Sequence, residues 1–392
     1  MKTIVIAGGG ASGMMAAICA ARKGAKVTLL EANDRLGRKL CASGNGRCNL
    51  TNLGASGEAY RGQDPSFAYD VLSRFSPQDT VCFFKELGLP TLSKEGWIYP
   101  SSEDSRSVLL ALMTELESLK VKVKTKERVV SVERNESGLF IIKTETWHYE
   151  ADAFILAAGT PASAVKGSSE DGYTLARAFG HSLVPPLPAL VPLMSSDHRL
   201  SAWGSFRVRG SVTLLVEGQR VITREGRLQT IDRGIYGIPV LQVSRFAAKA
   251  LSEGKRVTAE LDLLPDMTEE EARLYFENAR NKGLSASQIL ALLLPGKVGE
   301  ALFIKGAEVE DQIRELKQLS FDITATGRRE AAQIMCGGIA TAEVDPATMA
   351  SRLIPGLYLA GELLDVDGDC GGWNLQFAWA TGSLAGNAAA EE

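Results

Sequence analysis

Gly8-x-Gly10-x-x-Gly13 lies between an apolar β-branched run, TIVIA at 3–7, and a helical pattern at 11–23, and no other feature narrows the fold as far. A short continuous run of this kind reads as a buried parallel strand. Residues 26–31 (KVTLLE) make a second strand. The β-α-β unit that a parallel sheet needs is thus complete within about thirty residues. Each glycine has its own task. The first permits a tight turn, the second lets the backbone approach a pyrophosphate, and the third lets helix and strand pack closely. The helix start offers free N–H groups and a partial positive charge to phosphates. Glu31 ends the second strand, where a carboxylate can accept hydrogen bonds from ribose hydroxyls. The expected contacts to a dinucleotide are therefore Gly8, Gly10, Ala11, Ser12, Gly13, Glu31 and the adjoining Ala32.

The fingerprint leaves open which dinucleotide is bound; the C-terminus decides. LYLAGELLDVDGDCGGWNLQFAWATG (357–382) holds a strand ending at Gly361-Glu362 and a glycine doublet, Gly371-Gly372, from which a long helix starts near Trp373. In a flavoprotein, a carboxylate after such a strand meets the ribityl chain. A helix N-terminus aimed at the isoalloxazine stabilises negative charge on its N1 and C2=O edge. A chain with cofactor motifs at both ends fits the reach of FAD.

Composition agrees with a soluble protein of two or three domains: 392 residues, 45% hydrophobic, 23% charged. The net charge of −4 comes with no basic block, so no nucleic-acid partner is expected. No 18-residue apolar stretch free of charge suggests a membrane span. Met1-Lys2 and the apolar run after it imitate a signal peptide, but Gly8 to Gly10 interrupt the run, and a Rossmann start explains it better. Six scattered cysteines with no CxxC pair suit a reducing cytoplasm, and three separated histidines give no metal site.

Along the chain, 65–90 and 105–119 read as helices, and VKVKT, VVSVE and LFIIKTE (121–145) as a three-stranded meander leading into FILAAG. The proline-rich HSLVPPLPALVPL (181–193) fits neither a helix nor a central strand and marks a domain boundary. FRVRG, SVTLLVEG, VITREG and PVLQVS (205–248) read as short strands. Residues 266–320 are mostly helical, opened by Thr268 before three glutamates. The chain thus reads as α/β, with Rossmann character at both ends, a small β-domain after the proline-rich boundary and a mostly helical stretch before Rossmann character returns at 355–390.

Gly37-Arg38-Lys39-Leu40, SGNGRCNLTN (43–52), IYPSS (98–102), ILAAG (155–159), PALVPL (188–193), GIPVLQVS (237–244) and DVDGDCGGWNLQ (365–376) together resemble the bacterial BaiN-like (YhiN-like) family of NAD(P)/FAD-dependent oxidoreductases. The resemblance implies FAD and a three-domain layout: a discontinuous Rossmann-type FAD-binding domain (1–189 plus 322–392), an inserted β-barrel-like domain (190–255) and a small helical domain (256–321). It further implies activity akin to reducing conjugated steroid enones or oxidising small amines such as aminoacetone. Two positions depart from the family pattern: Tyr236 stands where a small serine is usual, and Thr160 where a glycine is common. The implied cofactor contacts add Arg38 and Lys39 toward phosphates or the ribityl chain, and Ser43, Gly44, Asn45, Arg47, Cys48 and Asn49 along the ring. Val129, Ala158, Gly159, Gly361, Glu362, Asp369, Gly372, Trp373, Asn374 and Leu375 complete the set, with Trp373 equally readable as core packing and Gln376 as a further reach to the ring edge.

Two other motifs fall away. Cys41 and Cys48 are spaced C-x6-C, unlike the CxxxxC of disulfide reductases, and Cys48 reads as a packed residue. Asp365-Val-Asp367-Gly-Asp369 opens like a calcium loop, but Cys370 and Gln376 occupy the positions that need Gly and Glu. No Ser-His-Asp set is readable, and no catalytic acid or base can be chosen. The expected activity is a cytoplasmic FAD-dependent oxidoreductase passing hydride through flavin N5 to or from a small organic substrate. With no second GxGxxG, NAD(P)H would visit as a transient donor. An O2-using oxidase of small amines and a non-catalytic flavin-binding module are the alternatives. Oligomeric state is not legible.

Overall fold

The computed structural model describes residues 1–55, 57–303 and 308–391, so the parts of the expected domains at Ser56, 304–307 and Glu392 lie outside the described residues. The chain forms two compact units, Met1–Pro186 with Ile334–Glu392, and Leu187–Gln333. The elements that build the site are β1 (Thr3–Ala7), α1 (Ala11–Arg22), β2 (Lys26–Glu31), β3 (Lys122–Thr125), β4 (Ala153–Leu156), α2 (Asp171–Ala178), β5 (Leu357–Leu359) and α3 (Trp373–Glu391).

In the first unit a five-stranded sheet has the order β5-β4-β1-β2-β3, with every pairing parallel. β1, β4 and β5 are buried along nearly their whole length, as strands covered on both faces must be. VKVKT therefore supplies a parallel edge strand, β3, rather than the first strand of a meander. The meander is built from Val129–Arg134, Phe140–Thr144 and His148–Ala151 instead. The expected helix 65–90 is two helices, Pro65–Arg74 and Pro77–Glu86, because Ser76 and Asp79 form a capping box that restarts the chain. The proline-rich Leu183–Ala189 is extended and belongs to a two-stranded ladder, where its missing N–H groups cost little.

The second unit holds a seven-stranded sheet containing the long pair Arg207–Val216 and Gln219–Ile231. Its ends are joined by one residue. Leu319–Ile323 pairs with Val257–Asp262 at one edge, and after Thr324, Ala325–Thr326 pairs with Leu193–Met194 at the other. The sheet is thus drawn around on itself, which gives it its barrel-like character. PVLQVS is not a strand. It lies in the helix Ile238–Ser252, where Pro239 sits in the first turn and Val240, Val243, Ala247 and Ala250 face inward at helical spacing. Four further helices, Glu269–Asn281, Ala286–Leu293, Gly296–Leu302 and Val309–Lys317, share one hydrophobic core with this sheet. The first of them carries the Thr268–Glu271 capping box.

Candidate functional site

The glycine loop joins β1 to α1. Gly8 has φ 110°, and a Cβ on it would lie 2.2 Å from the Ala157 carbonyl oxygen, so only glycine lets β1 and β4 end side by side. A Cβ on Gly13 would lie 1.8 Å from the Gly8 oxygen, which is the close helix–strand contact. Gly10 differs: nothing lies within 4 Å of its Cβ position. It caps α1 without any side-chain hydrogen bond, and no acidic residue stands in the first turn. The N–H groups of Ala11, Ser12 and Gly13, first in the helix, have no intrahelical acceptor, and with the open space at Gly10 and the dipole behind them the arrangement suits an anion.

Glu31 ties β2 to this loop. Its Oε2 accepts from the Gly9 N–H at 2.8 Å, and its Oε1 from the Asn33 N–H and side-chain amide at 2.8 and 2.7 Å. Ala32 beside it is exposed. The Glu127 N–H donates to the Glu31 carbonyl at 2.9 Å, which brings the chain leading to the buried Val129 alongside the end of β2.

Across from the loop lie two more turns. Gly159, next to Ala158, has φ 71° and open space at its Cβ position. Gly361 rests on α1, since its Cβ would fall 2.4 Å from the Ser12 hydroxyl, and its N–H donates to the Thr381 hydroxyl at 2.9 Å. The Glu362 carboxylate is held by Lys39 Nζ at 2.6 Å and by the Thr160 hydroxyl at 2.5 Å. Lys39 thus joins Glu362, whereas Arg38 turns to Asp34 at 2.5 Å and keeps a buried Nε that has no partner among the described residues.

The loop after Lys39 leads toward the start of α3. The Ser43 hydroxyl donates to the Leu40 carbonyl, while Gly44 and Asn45 are exposed with left-handed φ. The Arg47 guanidinium lies 5.7 Å from the Tyr99 ring centre. Cys48 and Asn49 are buried. Neither the amide nitrogen nor the oxygen of Asn49 has a partner among the described residues, and the Cβ position of Gly372 is 2.8 Å from Asn49 Oδ1. Asp369 faces Arg61 at 3.8 Å. Trp373 meets Tyr60 edge-on at 6.0 Å, and Leu375 is partly buried. Asn374 closes its own turn, accepting from the Gly368 N–H at 2.8 Å and donating to the Gly368 carbonyl at 3.0 Å. Gln376 makes no reach to an edge. It is fully buried, taking hydroxyl donors from Thr51 and Thr80 and donating to the Phe75 carbonyl.

What relates the two ends of the chain is the packing of α1 on α3. Cβ positions on Gly382 and Gly386 would fall 2.4 Å from the Ser12 oxygen and 2.3 Å from the Ala16 oxygen. Both contacts advance by four residues in the same direction, so the helices run parallel with their backbones touching. Trp373 precedes Gly382 by nine positions and Ala11 precedes Ser12 by one, so α3 starts about eight residues, or about 12 Å, further forward. Two helix N-termini therefore open to the same side in echelon. One lies at the glycine loop and the other beside Asn49, with the Gly159 and Gly361–Glu362 turns near the first. An extended dinucleotide with a second ring system fits these positions: open space and bare donors at one end, an unsatisfied buried amide at the other.

The remaining chemistry is quiet. Among the described residues no cysteine forms a disulfide; burial pushes the Cys48 thiol up to about 12 and the Cys370 thiol up to about 11, so neither is a thiolate near neutrality. His181 is buried between Glu343 (3.0 Å from Nδ1) and Ser351 (2.9 Å from Nε2). This resembles a hydrolytic triad, but the Ser351 hydroxyl also accepts the Leu353 and Ile354 N–H groups and is buried, so the set is a structural staple. No group of His, Cys, Asp and Glu among the described residues could hold a metal ion. Sequence reasoning missed the Thr160–Glu362 bond and the buried phenol of Tyr173, whose hydroxyl has no partner among the described residues. For Tyr173 no signal existed, since a packed phenol and a waiting one occupy the same helical position. Tyr236, in the second unit, pairs with Gln229 across a short strand.

Comparison with known proteins places these features in context. The family described as HI0933-like protein Rossmann domain matches residues 2–388. The 3-dehydro-bile acid delta(4,6)-reductase of Clostridium scindens is 43% identical over 408 residues and covers all of both chains. The ribosomal RNA dihydrouridine synthase of Haemophilus influenzae is 30% identical over 96% of each chain. Among solved structures, the 3-ketosteroid delta1-dehydrogenase of Sterolibacterium denitrificans aligns over 100% of both chains with a TM-score of 0.53 at 14% identity, a likeness of fold. No helix among the described residues is long and apolar enough to cross a membrane.

Proposed function

The chain belongs to the HI0933-like Rossmann-domain family, and from that premise we propose that it reduces a carbon–carbon double bond conjugated to a carbonyl in a small organic substrate. Membership makes it an FAD-dependent oxidoreductase. The finer reading rests on chemistry common to the two relatives. A 3-oxo steroid unsaturated at positions 4 and 6 and the uracil ring of uridine both present C=C in conjugation with C=O. In each case reduction adds a hydride and a proton across that bond. The higher identity of the bile-acid enzyme and the net charge of −4 favour a small molecule over RNA.

The observation that carries the cofactor part of the reading is the echelon of α1 and α3. On it, Gly8, Gly10, Ala11, Ser12 and Gly13 receive the pyrophosphate, and Glu31, Ala32 and Val129 hold the adenosine end. Arg38, Lys39, Ala158, Gly159, Gly361 and Glu362 flank the middle of the cofactor. Ser43, Gly44, Asn45, Arg47, Cys48, Asn49, Asp369, Gly372, Trp373, Asn374 and Leu375 surround the ring. FAD bound there supplies reversible two-electron chemistry at its ring. The protein's part is to bind and orient, to present the positive end of α3 to the ring, and to offer the buried Asn49 amide as a hydrogen-bonding group beside it. NAD(P)H as donor and a cytoplasmic setting belong to the same proposal.

The test is a spectrum of the purified protein followed by anaerobic titration with NADH and NADPH, then addition of a 3-oxo-4,6-diene steroid. Flavin bleaching by a nicotinamide and reoxidation by the steroid are expected. No bleaching with either nicotinamide refutes the reductase form. Reoxidation by a uridine-containing ribosomal RNA alone transfers the reading to the RNA substrate, and peroxide release on amine addition transfers it to an oxidase.

A further inference from the structure

One residue outside the expected set points at the same path. α2 starts against both middle turns: a Cβ on Gly172 would lie 2.8 Å from Leu363 Cδ1, 3.3 Å from Ala158 Cβ and 3.3 Å from the Gly159 oxygen. Tyr173 follows it and is 3% exposed, and among the described residues its hydroxyl has no hydrogen-bond partner. A buried hydroxyl left unsatisfied carries its whole desolvation penalty, whereas phenylalanine would fill the same volume without it. Among the described residues the hydroxyl is therefore a cost, which a bound group accepting its hydrogen bond would offset.

The surroundings narrow what that is. Burial above all, and after it the electrostatic influence of Glu362 with that of Glu170, Cys336 and Asp365, keeps the phenol protonated well above the ordinary tyrosine range. It is thus a donor at any working pH, and with the nearby Lys39 cation already engaged by Glu362, a neutral acceptor suits it better than a further anion. The glycine loop already serves phosphates, and Asn49 with the start of α3 stands at the ring end. Between them runs the stretch beside Gly159 and Glu362, where a chain of neutral hydroxyls would lie.

We propose that Tyr173 is a cofactor-binding residue whose hydroxyl donates a hydrogen bond to the ribityl segment of bound FAD. The proposal rests on the FAD reading above and deepens it.

The experiment uses the full chain stripped of flavin. The Kd for FAD is measured by quenching of flavin fluorescence, and the thermal midpoint of the apoprotein by circular dichroism, for wild type and Tyr173→Phe. Loss of one neutral hydrogen bond should weaken FAD about tenfold, while the apoprotein melts at the same temperature or higher. FAD analogues each lacking one ribityl hydroxyl complete a double-mutant cycle: one analogue should weaken binding to wild type by a factor that vanishes in Tyr173→Phe. An unchanged Kd, an apoprotein destabilised in parallel with the Kd, or no coupling with any analogue overturns the assignment to Tyr173 alone. A wild-type protein that takes up no FAD overturns the cofactor reading and this proposal with it. Should Tyr173→Phe not fold, Tyr173→Met carries the same comparison.

Discussion

Gly382→Ala sets two calculable effects against each other. Alanine is favoured over glycine inside a helix by about 1 kcal/mol, and α3 would gain that much if its surface were free. The new Cβ, however, would stand 2.4 Å from the Ser12 oxygen and 3.0 Å from Ser12 Cα and Met15 Cβ. Relief to an ordinary contact requires the helices to part by about 1 Å, because two of the three obstructing atoms are backbone and no rotamer change moves them. Overpacking of this kind costs about 1–3 kcal/mol, so the net effect is a loss of up to about 2 kcal/mol. For a body of this size that lowers the midpoint by about 2–4 °C per kcal/mol. Gly386→Ala meets the Ala16 oxygen in the same way at 2.3 Å. Once one substitution has separated the helices the second finds room, so the pair should be clearly less than additive. Asn387→Ala, on the same helix and only partly buried, is the control and should stay within about 0.5 kcal/mol of wild type. Urea unfolding of the apoproteins gives the stabilities, and the ratio of flavin to protein absorbance gives the retention of FAD. The same 1 Å parting shifts the start of α3 relative to the glycine loop, so flavin retention should fall with stability in both glycine variants. A Gly382→Ala protein as stable as wild type, or more stable, would show that helix propensity dominates and that the backbone contact does not set the spacing.

Three further outcomes are expected. Asn49→Leu removes two buried unpaired polar atoms, so the apoprotein should keep or gain stability while FAD binds about tenfold or more weakly; unaltered retention of flavin would separate this amide from the ring. Iodoacetamide at pH 7.5 should modify the exposed Cys82 before Cys48 or Cys370, as read by peptide mass spectrometry, without altering flavin reduction by a nicotinamide; loss of reduction on Cys48 labelling would revive a thiol mechanism. Burial holds His181 below the ordinary histidine range against the upward pull of Glu343. The unfolded chain therefore takes up this proton first, so stability is full above about pH 6.5 and declines as pH falls from there toward the lower native value. An NMR titration placing His181 at or above 6.5 in the native protein would reverse the sign.

The Rossmann opening was legible because its signals are local: a β-branched run, three glycines at fixed spacing and a helix follow one another within a few residues, and each demands the same backbone. The Thr268–Glu271 cap was legible for the same reason. Where the reading slipped, the deciding partner was distant in sequence. VKVKT has the alternation of a meander strand, but β2 lies almost a hundred residues upstream and claims it in parallel. PVLQVS has the composition of a strand, but the apolar positions beyond it, Ala247 and Ala250, complete a helical face that a six-residue window cannot show. The site divides along the same line. Gly8, Gly10 and Gly13 announce themselves by spacing. The Lys39–Glu362–Thr160 cluster joins residues 323 and 202 positions apart, and nothing in any one of the three segments names the other two. The contact that relates both halves of the site is also the least visible in a sequence. Gly382 and Gly386 read as mild flaws in a long helix, each weakening it slightly. In the fold they are the places where α3 gives up side chains so that α1 can lie against its backbone. The stagger of the two helix starts follows from where those two glycines fall. Moving the pair by one turn toward Trp373 would shorten the step between the starts by about 6 Å, leaving the glycine loop and Asn49 too close to serve the two ends of one extended cofactor.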